Sequence, residues 1–235
     1  HWKRNTLMTA FLVPGAIFTI FIFLNFFIWG EHSSGGVTFL SLLTLAGLWF
    51  GLSIPLTFIG SYIAFKRPAA EPPVGTNQIP RQIPEQVWYM SPTLSVLMGG
   101  ILPFGAVFIE LYFILSAVWG QQLYYIFGFL FIVFLILIVT CAEISIVMTY
   151  FQLCSEDYHW WWRSYLTSGS SALYFFLYSI FYFATKLEIT NFVSGMLYFG
   201  YTFIFSIVFF VLTGFIGYQS AYLFVYKIFS SVPFD

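Results

Sequence analysis

Six long apolar stretches dominate this chain and restrict what it can fold into. They run over residues 7–29, 37–65, 94–118, 123–151, 166–185 and 192–229. A helix crosses the hydrocarbon core of a bilayer in about 20 residues, so each stretch is long enough to span. A helix satisfies its own backbone groups and crosses singly, whereas barrel strands are about 10 residues long with alternating character. The expected fold is therefore all-α: a polytopic integral membrane bundle with six transmembrane helices in this chain. The last stretch is too long for one perpendicular span and too short for two full crossings. It reads as a single tilted helix with ends outside the core.

Composition excludes the soluble alternatives. Charged residues make up 7% of the chain and apolar residues 60%, against about a quarter charged in a soluble domain. Too few charges remain to build a polar surface. The net charge of -1 offers no basic face to neutralise nucleic-acid phosphates. Cys141 and Cys154 give neither a disulfide framework nor zinc spacing, although Cys154 lies at a membrane edge where a palmitoyl chain could attach. The chain opens at His1 without an initiator Met, and is expected to be the C-terminal part of a longer protein.

Basic residues give the expected orientation. With both termini cytosolic, Lys3, Arg4, Lys66, Arg67, Arg81, Arg163 and Lys227 all fall on the cytosolic side, and only Lys186 falls opposite. The longest connection, residues 66–92, is then cytosolic. Pro68, Pro72, Pro73, Pro80 and Pro84 prevent it from being a regular helix.

Two carboxylates sit inside expected spans, Glu110 and Glu143. Charge at the bilayer centre costs at least ~2.5 kcal/mol. These residues read either as a proton- or cation-coupled site or as protonated donors between helices. Pro14-Gly15, Pro55 and the Gly99-Gly100…Pro103 run interrupt their helices. They point to kinks absorbed by neighbouring helices or, in a transporter, to exposed backbone. Gly47-x-x-x-Gly51 offers a close helix contact. Ser168, Gly169 and Ser171 open the fifth span with small residues, suited to helix packing or to a groove for a client helix.

Two further segments stand out. Asn77-Gln78-Ile79-Pro80-Arg81-Gln82-Ile83-Pro84-Glu85-Gln86 suggests a fixed extended loop held by side-chain amides. Glu156-Asp157-Tyr158-His159-Trp160-Trp161-Trp162-Arg163 fits an interfacial segment with indoles at headgroup level. Arg163 could hold a lipid phosphate or pair with Glu156 or Asp157. The spacing of Glu156, Asp157 and His159 matches no metal motif. No catalytic or phosphate-binding motif is present, so neither metal, cofactor nor enzymatic activity is expected.

These two segments resemble signatures of the nonaspanins, the transmembrane 9 superfamily. Met98-Gly99-Gly100-Ile101-Leu102-Pro103-Phe104-Gly105, Tyr124–Leu130 and Leu197-Tyr198-Phe199-Gly200-Tyr201 are similar to the family as well. Phe108-Ile109-Glu110-Leu111 resembles the member-four type. The resemblance implies that residues 1–235 form the C-terminal part of a nonaspanin membrane domain, following a lumenal domain and earlier helices. It implies residence in Golgi and endosomal membranes and a non-enzymatic role in sorting or delivering other membrane proteins. Such a protein would bind client transmembrane segments or lipids. The alternative is a proton- or cation-coupled transporter using Glu110 and Glu143. Family tails carry a basic residue two places before a final Asp, read by coatomer. This chain keeps Asp235 but has Pro233 at the basic position, which weakens that expectation.

Overall fold

A computed structural model describes residues 2–30, 39–67, 79–80, 82–119, 126–185 and 192–231, with some side chains of residues 106–133 outside the description. Every regular element among the described residues is helical. In chain order these are α1 (Trp2–Gly30), α2 (Phe39–Leu48), a π-helical turn (Trp49–Ser53), α3 (Ile54–Phe65), a 3-10 turn (Trp88–Met90), α4 (Pro92–Trp119), α5 (Ile126–Cys154), α6 (Trp161–Thr185) and α7 (Phe192–Ser231). Since α2 runs into α3 through the π turn, six long helices coincide with the six apolar stretches. Four segments among the described residues are long and apolar enough to cross a membrane: Lys3–Gly30, Phe39–Phe65, Phe134–Cys154 and Phe192–Ser231. α7, at 40 residues, is about 60 Å long, twice the ~30 Å of the hydrocarbon core.

The distribution of polarity is that of a protein dissolved in lipid. Leu12, Phe39, Leu40, Leu56 and Phe131 are more than 60% exposed, while Ser145, Ser168, Ser171, Ser179 and Thr213 are wholly buried. Water would penalise both halves of that pattern. Lipid removes the penalty on the first, and helix backbone carbonyls satisfy much of the second. Ser179 Oγ donates to the Phe175 carbonyl at 2.9 Å and Thr213 Oγ1 to that of Phe209 at 2.7 Å.

The chain divides into two units, residues 1–71 with 187–204 and residues 72–186 with 205–235. In the first, α1 packs on α3 and the prolines decide the local geometry. Pro55 has no N–H to give the carbonyl four residues back, and its ring crowds the preceding turn. The helix widens there into the π turn, where Ile54 N–H reaches the Trp49 carbonyl. Pro14 leaves the Ala10 carbonyl without its helical donor. The Trp49 indole Nε1–H donates to that oxygen at 3.2 Å. The carbonyl that Pro14 frees is thus satisfied from the neighbouring π turn. A Cβ on Gly47 or Gly51 would meet nothing within 4 Å, so this pair is not the close helix contact expected of it.

In the second unit α4 packs on both α5 and α6. Leu137 and Cys141 of α5, Ala172 and Phe175 of α6 and Phe209 of α7 form the core, with Phe104 of α4 against them. Small residues let the backbones approach. A Cβ on Gly100 would lie 2.9 Å from the Ser170 backbone carbon. One on Gly99 would collide with Thr167, and one on Gly217 with Ser168. Hydroxyls cross the same seams. Ser170 Oγ donates to the Val96 carbonyl at 2.8 Å, Tyr174 to that of Leu97 at 2.5 Å and Ser145 to that of Gly217 at 2.6 Å.

Candidate functional site

The turn between α5 and α6 is built residue by residue. α5 ends in a Schellman closure: Glu156 N–H donates to the Leu153 carbonyl at 3.0 Å and Asp157 N–H to that of Gln152 at 3.2 Å. This closure needs a left-handed residue, and Glu156 supplies it with φ 64°. The chain then turns sharply, and Asp157 Oδ1 accepts the His159 backbone N–H at 3.0 Å. Gln152 Nε2 donates to the His159 carbonyl at 2.7 Å, tying the end of α5 to the start of α6.

Arg163 sits in the first turn of α6, where a cation opposes the helix dipole. The geometry compensates. Arg163 Nη1 donates to Asp157 Oδ2 at 3.2 Å, and Nη2 donates to the Met90 carbonyl at 2.5 Å. Both charged side chains are about nine-tenths enclosed. Burial lowers the guanidinium from its ordinary pKa, and the Asp157 charge pulls it back up. Arg163 is thus committed to Asp157 and to backbone rather than to a lipid phosphate.

The second signature segment joins the same cluster. Residues 82–87 have no regular structure, and Gln86 Nε2 bridges the Pro84 carbonyl at 2.9 Å and the Ser155 carbonyl at 3.1 Å. Two segments some 70 residues apart are therefore locked together by Gln86 and Arg163. Pro80 and Glu85 are exposed; Asn77, Gln78 and Arg81 lie outside the described residues.

Consecutive residues on a helix diverge by about 100°, so Trp161 and Trp162 point apart, and Trp160, just before α6, takes a third direction. Trp160 stacks on Tyr218 with ring centres 5.8 Å apart. Trp161 meets His159 edge-on at 5.3 Å, and Trp162 meets Tyr165 at 6.0 Å. Tyr158 lies over His159 at 4.2 Å. Beside this fan, between α6 and α7, opens a cleft of about 600 Å³ lined by Trp161, Trp162, Tyr165, Leu166, Phe210 and Tyr218. The cleft was not foreseen from sequence, although the Trp run marks one of its walls.

The remaining candidates divide. Ser168 and Ser171 have no exposure and Gly169 is buried. Phe210 would lie 2.7 Å from a Cβ on Gly169. Ser168 and Gly169 lie against α7 and Ser171 is enclosed, so these residues pack helices and form no open groove for a client. Glu143 is exposed on α5. The side chain of Glu110, on α4, lies outside the described residues. Among the described residues no three His, Cys, Asp or Glu side chains gather as a metal set.

Fold and site together define a class, a polytopic helical membrane protein whose two signature segments are welded at one end of the bundle. The model of the Endomembrane protein 70 family matches residues 1–192, and the chain belongs to that family, whose curated relatives are transmembrane 9 superfamily proteins. It is 64% identical over its whole length to transmembrane 9 superfamily member 10 of Arabidopsis thaliana. It is 65% identical to member 8 of the same plant and 56% identical to member 4 of Homo sapiens. It spans 36–37% of the length of these relatives. No solved structure matches it.

Proposed function

We propose that this chain is the membrane block of a non-enzymatic protein that sorts or delivers other membrane proteins in Golgi and endosomes. It would do so by binding client transmembrane segments or lipids. The observation behind this reading is how the signature residues are engaged. Asp157 and Arg163 satisfy each other, and Gln86 and Arg163 each donate to backbone carbonyls. They form a fixed rim, suited to presenting a surface to partners. Groups held for chemistry are usually left with a free valence facing a cavity. Family membership supports the same reading. Coatomer recognition of the tail belongs to this proposal, with Pro233 its weak point; the tail lies outside the described residues.

The test is cellular. In cells lacking the protein, surface arrival is followed for paired reporters whose single spans are glycine-rich or leucine-rich. Selective loss of the glycine-rich reporter, restored by re-expression, is expected. Equal arrival of both reporters with and without the protein would reject the sorting role.

A further inference from the structure

We propose that Lys3 and Arg4 of α1, with Lys66 and Arg67 at the end of α3, form one binding site for the headgroup of a polyphosphorylated inositol lipid. The inference stands apart from the sorting role, because its test reads lipid binding and not delivery.

Topology gathers these cations. The chain has eight Lys and Arg residues, and these four lie at the ends of two neighbouring spans. Lys3 and Arg4 open the segment Lys3–Gly30, while Lys66 and Arg67 follow the segment Phe39–Phe65. All four are exposed. Consecutive spans cross in opposite directions, so the start of α1 and the end of α3 reach the same side. The two helices pack on each other.

Their levels follow from the ring contacts. Trp49 packs against both Phe11 and Phe18, and so lies level with the middle of that stretch. At about 1.5 Å per residue, Lys3 and Arg4 lie about 16 Å beyond that level, and Lys66 and Arg67 about 25 Å. Lys66 folds back, its Nζ 4.3 Å from the centre of the Tyr62 ring. That lowers its charge to about 19 Å, nearly level with α1's pair, and leaves Arg67 outermost.

This arrangement selects its ligand. Like charges gathered at one edge repel, and no carboxylate among the described residues of this unit offsets them; Glu71 lies outside those residues. Arg163, by contrast, has Asp157. The ends of spans lie at the headgroup level, where phosphate is the anion at hand. In the cytosolic orientation expected from the basic residues, the facing leaflet is the anionic one. Clusters of about four to eight Lys and Arg beside a span suit such lipids. Phosphatidylserine brings one net negative charge at one depth. An inositol lipid brings a phosphodiester at the membrane surface and ring phosphates that stand out beyond it. It matches a lower group of three cations and a higher one.

The experiment titrates a fluorescent phosphatidylinositol bisphosphate into the purified chain in phosphatidylcholine nanodiscs. Saturable binding is expected, roughly tenfold tighter than for phosphatidylserine. Each cation near an anionic surface is worth about a fivefold change in affinity. Lys3→Gln with Arg4→Gln should therefore weaken binding about 25-fold, and Lys66→Gln with Arg67→Gln should do the same. Lys227→Gln, exposed on α7, should change it by less than about twofold. Free inositol trisphosphate, which lacks the diacyl anchor, should compete poorly. Added salt should weaken binding by screening the cations, a reading that needs no variant. Equal affinity for phosphatidylserine, no salt dependence, or competition by free trisphosphate as strong as by the lipid would overturn the proposal. So would a loss confined to one pair, or matched by Lys227→Gln.

Discussion

The indole nitrogen of Trp49 donates to the one carbonyl in its reach that a proline has orphaned, Ala10, at 3.2 Å. Pro14 stands four residues after Ala10 and has no N–H to offer it. The same ring packs between Phe11 and Phe18 at 5.8 and 5.7 Å. Trp49→Phe keeps an aromatic ring and removes the donor. It is expected to lower stability by about 1–3 kcal/mol, the range for leaving a buried acceptor unpaired. In a Pro14→Ala background the helix supplies its own donor, so the loss should shrink by about 0.5–1.5 kcal/mol. Thermal melting of the four proteins in one detergent measures this cycle. Additive losses would show that Trp49 acts through packing alone.

Asp157 and Arg163 form a largely buried pair at 3.2 Å. Removing one partner strands the other charge, which typically costs about 3–5 kcal/mol. Asp157→Ala should therefore melt well below wild type, and Arg163→Ala should behave alike. Arg163→Lys should be intermediate, since one ammonium cannot reproduce the planar fork that reaches both Asp157 and Met90. Hydrogen exchange should rise in residues 82–91 as well as 155–164, because Arg163 joins the two. Exchange rising in the second segment alone would argue against that link.

Glu156 holds a left-handed conformation, φ 64°, that closes α5. A β-branched side chain is a severe misfit in that region. Glu156→Val is expected to destabilise by about 1–2 kcal/mol, whereas Glu156→Asn, which tolerates the conformation, should stay within about half of that. A melting temperature equal for Val and Asn would remove the backbone explanation.

Much of the architecture was legible because hydrophobic length is a one-dimensional signal. Each apolar run from residue 7 to 229 became a helix, and the prolines at 68–84 precede a segment without regular structure through Val87. Partner identity was less legible. The sequence offers Arg163 a choice of Glu156, Asp157 or a phosphate. What decides it is the turn that follows the left-handed Glu156, which brings the Asp157 carboxylate to Arg163. Small residues were ambiguous for a related reason. Gly47-x-x-x-Gly51 and Ser168-Gly169 have equal claims as contact faces by composition, and only tertiary packing shows that the first is open and the second enclosed. The cleft escaped notice because its walls come from α6 and α7, some 45 residues apart, and its space depends on glycines at 169 and 214 whose partners no local pattern names.

That last distinction gives a direct comparison between glycines. Gly100 is buried and its missing Cβ would crowd the Ser170 backbone at 2.9 Å, while Gly47 has open space around it. Backbone cannot rotate aside, so Gly100→Ala must push α4 away from α6. It would also strain the bond from Ser170 Oγ to the Val96 carbonyl. Overpacking of this kind costs about 1–3 kcal/mol. Gly47→Ala adds a helix-favouring methyl facing lipid and should be neutral or stabilising by up to about 1 kcal/mol. Parallel melts of the two variants decide the matter. The expected order is Gly47→Ala at or above wild type and Gly100→Ala clearly below it. If Gly100→Ala melts with wild type, the close approach of α4 and α6 is wrong.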